Sequence, residues 1–141
     1  IAGKHFPPDL VTLVKNSSSI EYVGFVDDLT NFIAQSKLLI APLPSGSGIK
    51  IKLVEAMSHG LPFVTTSVGF EGFHQPYLHE KCVANTENDF AEKVVNIFEN
   101  DALNEQLRVQ IHAFAKEHLD IVKYSEKLKY FISNAQTNQE E

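Results

Sequence analysis

At 141 residues, 43% of them hydrophobic, the chain is long enough to bury one substantial core and short enough to need only one domain. A net charge of −6 argues against non-specific nucleic-acid binding, so no nucleic-acid partner is expected. The single cysteine, Cys82, excludes an intrachain disulfide and fits a reducing, cytoplasmic compartment, and no apolar stretch is long enough to span a bilayer.

The predicted elements alternate as parallel α/β units require. Ile1 to Gly3 reads as the end of a strand, 8–15 as a short helix opened by prolines and Asp9, and 20–25 as a strand. Asp27 or Asp28 caps a helix running to Gln35, with Leu29, Phe32 and Ile33 toward the sheet. A strand over 37–41 follows, then a helix to His59, a strand over 62–66 and a final short strand over 81–84. The last third changes texture. Phe90, Val94, Ile97 and Phe98 mark one amphipathic helix, Leu103, Leu107, Ile111 and Phe114 a second, and Tyr124, Leu128, Phe131 and Ile132 a third, with 136–141 expected to be a disordered tail.

The densest stretch is Pro42-Leu-Pro-Ser-Gly-Ser-Gly-Ile-Lys-Ile-Lys-Leu-Val-Glu-Ala-Met-Ser-His-Gly60, which joins an apolar strand to a helix through a glycine loop. Such a loop exposes backbone N–H groups at the mouth of a helix carrying Lys50, Lys52 and Glu55, equipment suited to an anionic nucleotide. Ile49, Leu53, Ala56 and Met57 share one helical stripe, and Lys52, Glu55 and His59 share the next. Ser45 or Ser47 is the expected N-cap, while Gly60 and Pro62 mark the stop. Helical side chains lean toward the N-terminus, so a diphosphate at the loop would sit beside Lys52 while the Glu55 carboxylate accepts the two hydroxyls of a ribose. The competing account is a Lys52–Glu55 surface pair three residues apart, worth about 0.2–0.5 kcal/mol.

Other nucleotide and catalytic motifs do not fit. Ile51 stands where a dinucleotide fingerprint needs its third glycine, Ile49 stands where a P-loop needs lysine, and Gly46-Ser47-Gly48 is not a nucleophile elbow. His74, His79 and Cys82 have irregular spacing and no fourth partner, so no metal site is expected and the three are read as loop residues. No paired carboxylates at a productive spacing can be argued, and no catalytic residue is assigned.

The segments Gly24-Phe-Val-Asp-Asp-Leu, Ala34, the glycine loop through Glu55-Ala-Met, Gly60-Leu-Pro-Phe-Val-Thr-Thr and Gly69-Phe-Glu-Gly72 carry a resemblance. Together they look like the donor-binding domain of GT-B glycosyltransferases of group 1 or family 4, which retain anomeric configuration. The resemblance implies an α/β, Rossmann-like parallel sheet flanked by helices, with a helical C-terminal part and a nucleotide-diphospho-sugar donor as substrate. It implies no resident cofactor or metal. Glu55 matches the ribose-binding glutamate; Gly46, Ser47, Gly48 and Ile49 match the loop whose amides approach the diphosphate and sugar; Phe25 and Val26 match the turn beside the base. Glu71 and His74 lie near the same sheet edge as candidate sugar contacts, and His5 follows the first strand. Ser47 occupies a place where the family usually has a second glutamate, eight positions before Glu55, which leaves open how the sugar hydroxyls are recognised.

The opening Ile1-Ala-Gly3 resembles a strand entered midway, so the chain is expected to be a fragment of a longer polypeptide. Residues 1–135 would form the donor-binding domain, truncated at its N-terminus, with an acceptor domain of the same polypeptide missing. The fragment alone would transfer nothing. The expected setting is cytoplasmic, with peripheral attachment of the parent to the cytoplasmic membrane face left open. The rival function is a noncatalytic nucleotide or nucleotide-sugar binding module; an NAD(P)-binding protein is disfavoured by the broken fingerprint, and a nucleotide-sugar isomerase by the Gly-Ser-Gly-Ile-Lys-Ile-Lys pattern.

Overall fold

The computed structural model describes residues 1–3, 7–119 and 125, which divide into two units, 1–35 and 36–141. The expected third amphipathic helix, the tail and His5 lie outside the described residues, Ser125 aside.

In the first unit, Ala2 bridges Gly24 in parallel, with Gly3 N–H donating to Gly24 O at 2.8 Å and Val23 N–H to Ile1 O at 2.9 Å. The strand expected over 20–25 reduces to that bridge. Helix α1, Pro8–Lys15, starts on Pro7 and Pro8, whose fixed φ suits a first turn, and buries Val14. Helix α2, Leu29–Ala34, is capped by Asp28, which accepts from Asn31 N at 2.9 Å. Within this unit α2 buries only Ile33; Leu29 and Phe32, expected to face the sheet beside it, are exposed at 37% and 36%.

In the second unit, β1 (Leu39–Ala41) and β2 (Phe63–Thr65) pair in parallel, Leu39 opposite Phe63 and Ala41 opposite Thr65. Val83 extends the pair by a parallel bridge to Thr65. The strand expected over 81–84 is otherwise absent, because Lys81 and Cys82 finish a helix, α4, Pro76–Cys82. His79 and Cys82 are accordingly helical and not loop residues. Pro76 stands at the first turn, and the Gln75 side chain accepts from Leu78 N at 2.7 Å.

Helices α3 (Ile51–Ser58), α5 (Glu87–Glu99) and α6 (Asp101–His118) complete this unit. Leu53 and Met57 of α3, Phe63 and Val64 of β2, Leu78 of α4, Ile97 of α5 and Leu107 and Ile111 of α6 form one buried cluster. Each such side chain contributes about 1.5–3 kcal/mol by leaving water. The two amphipathic patterns past residue 86 thus become α5 and α6 as expected, although Phe98 stays 54% exposed beneath the Lys37 ammonium, 5.0 Å from its ring centre. One polar side chain enters the interior from α6. Asn104 donates to Lys37 O at 3.2 Å and Ile97 O at 3.3 Å and accepts from Arg108 Nε at 3.1 Å, while Arg108 reaches Ser36 O at 3.2 Å. These bonds fasten α6 to the segment that leads into β1.

Candidate functional site

The strand β1 stops at Ala41 because Pro42 and Pro44 cannot donate to a ladder. The chain then turns, with Leu43 N–H donating to Ala41 O at 3.0 Å and the Thr66 hydroxyl to Leu43 O at 2.6 Å. Gly46 (φ +133°) and Gly48 (φ +68°) hold backbone conformations that L side chains rarely adopt, and they keep 45–49 out of the helix and exposed. Helix α3 therefore begins late. Its N-cap is Lys50, in extended conformation and without a side-chain cap, in place of the expected Ser45 or Ser47. Lys50 O accepts from Leu53 N at 2.9 Å and Val54 N at 3.2 Å, but no described residue accepts from the amides of 46–49 or of Ile51 and Lys52. By contrast α4, α5 and α6 are capped by Gln75, Thr86 and Asn100. A helix start with open donors carries partial positive charge and favours an anion.

On α3, Leu53, Ala56 and Met57 are buried as expected. Ile49 is not on that stripe: it precedes the helix and is 56% exposed. Glu55 is half-buried, and its carboxylate has no hydrogen-bond or ion-pair partner among the described residues. Lys52 is exposed and does not pair with Glu55, so the surface-pair account fails among the described contacts. The backbone carbonyl of Glu55 is in use at the far end of the helix, accepting from Ser58 Oγ at 2.8 Å, with His59 Nδ1 at 2.9 Å.

A second turn meets the glycine loop. Buried Phe70 and Phe73, their ring centres 5.6 Å apart, anchor the turn that presents exposed Glu71. Glu71 Oε2 lies 3.5 Å from Lys50 Nζ, which also donates to Gly48 O. A Cβ on Gly72 (φ +87°) would stand 2.8 Å from Ile49 Cγ1, and one on Gly46 would stand 3.4 Å from Lys50 Cε. The structure thus brings Glu71 to the loop through Lys50, which the sequence sets with Lys52 and Glu55 at the mouth of the helix but does not pair with Glu71. Nothing in the sequence pairs positions 50 and 71, because the contact needs both turns folded. His74 is exposed just beyond. In the first unit, Phe25 and Val26 follow Gly24 (φ +70°), Phe25 exposed and Val26 half-buried.

A cavity of about 480 Å³ opens at the carboxyl ends of β1 and β2, lined by Pro42, Pro44, Thr66, Ala84 and Phe90 among others, and does not reach Glu55. Of its polar neighbours, Asn85 exchanges hydrogen bonds with Ser67 and Thr86 caps α5, while Glu87 is exposed in the first turn of α5. Cys82 is buried, and loss of hydration pushes its thiol up to about 12 despite the nearby Lys93 charge. Among the described residues no three His, Cys, Asp or Glu side chains gather in a metal-binding group, and no helix is long and apolar enough to cross a membrane.

The chain is similar to an "Uncharacterized 44.6 kDa protein in cps region" of Klebsiella pneumoniae, at 29% identity over 86 residues, covering 61% of this chain and 22% of that protein. Its fold is similar to that of Anabaena Alr3699/HepE, solved in complex with UDP and glucose, with a TM-score of 0.74, 16% identity, and coverage of 94% of this chain and 39% of HepE. The chain therefore spans about a fifth of the first and two-fifths of the second. At that identity HepE shows a shared fold, the parallel α/β architecture expected of a GT-B glycosyltransferase domain. The family model described as "Glycosyl transferases group 1" matches residues 1–100, most of the chain, and the chain belongs to that family.

Proposed function

We propose that this chain is the donor-binding part of a retaining, family 4 glycosyltransferase that transfers a sugar from a nucleotide-diphospho-sugar to an acceptor in glycan or polysaccharide synthesis. Glu55 accepts the ribose hydroxyls, the amides of Gly46, Ser47, Gly48 and Ile49 receive the diphosphate and sugar with lysine at the opening of α3 beside them, and Phe25 and Val26 line the base. Glu71 and His74 are candidate sugar contacts. The observation that carries the proposal is the unpartnered, half-buried Glu55 carboxylate on a helix whose opening amides are also unengaged, in a group 1 family member.

The chemistry that follows is positioning and charge stabilisation. As the sugar–phosphate bond breaks, negative charge grows on the leaving diphosphate, and fixed N–H dipoles favour that charge more than the ground state's. No side chain is assigned as general acid or base; the departing diphosphate helps take the acceptor's proton. The acceptor is held by another domain of the same polypeptide, the protein works in the cytoplasm or peripherally at the inner membrane face, and no metal is assigned.

Calorimetric titration with UDP-, GDP- and ADP-sugars tests the donor site, comparing wild type with Glu55→Ala. The expected result is saturable binding of one donor class and a loss of about 1.5–3 kcal/mol in the variant, as for a hydrogen-bonded charged partner. An unchanged constant for the preferred donor would overturn the role of Glu55.

A further inference from the structure

The two lysines at the opening of α3 are placed differently. Lys52 extends into solvent, whereas the Lys50 side chain is only 12% exposed, folded against the loop with its ammonium on Gly48 O and 3.5 Å from Glu71 Oε2. Its Cε lies 3.4 Å from where a Gly46 Cβ would stand, so the stem runs close beneath the backbone whose amides are open. Glu71 is not a freely swinging partner. Phe70 and Phe73 are buried on either side of it, and Gly72 sits close to Ile49 in a left-handed conformation. The cation at the loop thus has a resident counter-anion, half in water at 52% exposure.

We infer that Lys50, and not Lys52, is the cation of this loop that meets the donor's diphosphate and that Glu71 is its placeholder, displaced when the diphosphate arrives. This rests on the diphosphate site proposed above. An entering anion must take the ammonium from a carboxylate and tolerate that carboxylate nearby. A group with several negative charges gains more from Lys50 and the amides together than a monoanion does, so the placeholder biases the loop toward diphosphate and against singly charged ligands.

Inorganic pyrophosphate and UDP, titrated separately into the full chain, separate this inference from the donor reading. Lys50→Met should weaken pyrophosphate binding at least tenfold, Lys50→Arg by no more than about threefold, and Lys52→Met at least fivefold less than Lys50→Met. Glu71→Gln should tighten pyrophosphate binding about three- to tenfold, and the gain should vanish in the Lys50→Met, Glu71→Gln double variant. Thermal melts confirm that each variant is folded. Weaker or unchanged binding by Glu71→Gln, an equal loss from Lys52→Met, or no pyrophosphate binding by wild type and Glu71→Gln alike overturns the inference. If UDP binds no better than pyrophosphate and ignores Glu55→Ala, the nucleotide reading fails while the Lys50–Glu71 exchange stands on the pyrophosphate data alone.

Discussion

Thr65 and Gly69 are packed so closely that a Cβ on Gly69 would fall 1.9 Å from the Thr65 hydroxyl oxygen, the same oxygen that donates to Ala41 O at 2.9 Å across β1 and β2. Nothing flexible lies in the way, since Thr65 is fully buried. Gly69→Ala should therefore destabilise the fold by about 2–3 kcal/mol in denaturant titration. Combined with Thr65→Ala, the loss should be less than the sum of the two single losses.

Gly72 combines two constraints, a left-handed φ of +87° and a 2.8 Å approach of its would-be Cβ to Ile49 Cγ1. Gly72→Ala should cost about 1–3 kcal/mol, and adding Ile49→Ala should recover the steric share while leaving the backbone share. Full recovery in the double variant would show that conformation contributes nothing there.

Glu55 is predicted to matter for ligand and not for fold. Its carboxylate has no described partner, so Glu55→Gln should change unfolding free energy by less than about 0.5 kcal/mol while weakening donor binding. A large drop in melting temperature would instead assign the carboxylate a structural role.

Asn104 should behave in the opposite way. It is 5% exposed and ties α6 to Lys37 O and Ile97 O, so Asn104→Leu should destabilise the second unit by about 1–3 kcal/mol in chemical denaturation. Arg108, deprived of its acceptor on Asn104, would keep only its bond to Ser36 O of the two described.

The Cys82 thiol should resist alkylation in the native state, since burial holds it protonated up to about pH 12. Because the folded value lies above the ordinary value of 9.0, the unfolded chain loses this proton first. Its contribution to stability is thus complete below pH 9 and declines as pH rises toward about 12. Cys82→Ala should make the alkaline limb of a stability–pH curve shallower; an identical limb would exclude the thiol as its source.

Where the sequence carried a local cause, the fold was legible. Gly60 (φ +64°) followed by Pro62 ends α3 as the glycine–proline spacing implies, and the 3.6-residue patterns around Ile97 and Ile111 become α5 and α6. The start of α3 lies later than the sequence implies because a serine in a glycine loop resembles an N-cap, whereas the left-handed Gly46 and Gly48 hold the chain out of the helix until Lys50. The run Lys81-Cys-Val-Ala reads as a strand from sequence because a short apolar stretch has no decisive period, whereas its first two residues end α4. Gln75 and Pro76 were the available signals for α4, a glutamine cap followed by an N-terminal proline. In the candidate site, the loop, its helix and Glu55 could be read from spacing, but the approach of Glu71 to Lys50 could not, because 21 residues separate them and packing of Phe70 and Phe73 closes the distance.

The helix α6 follows the stretch that the family model matches, yet it completes the core that this stretch builds. A polypeptide ending after residue 100 would keep every position shared with the family model, yet it would strip the cover from Leu53 and Met57 and leave the carbonyls of Ser36 and Lys37 without Arg108 and Asn104.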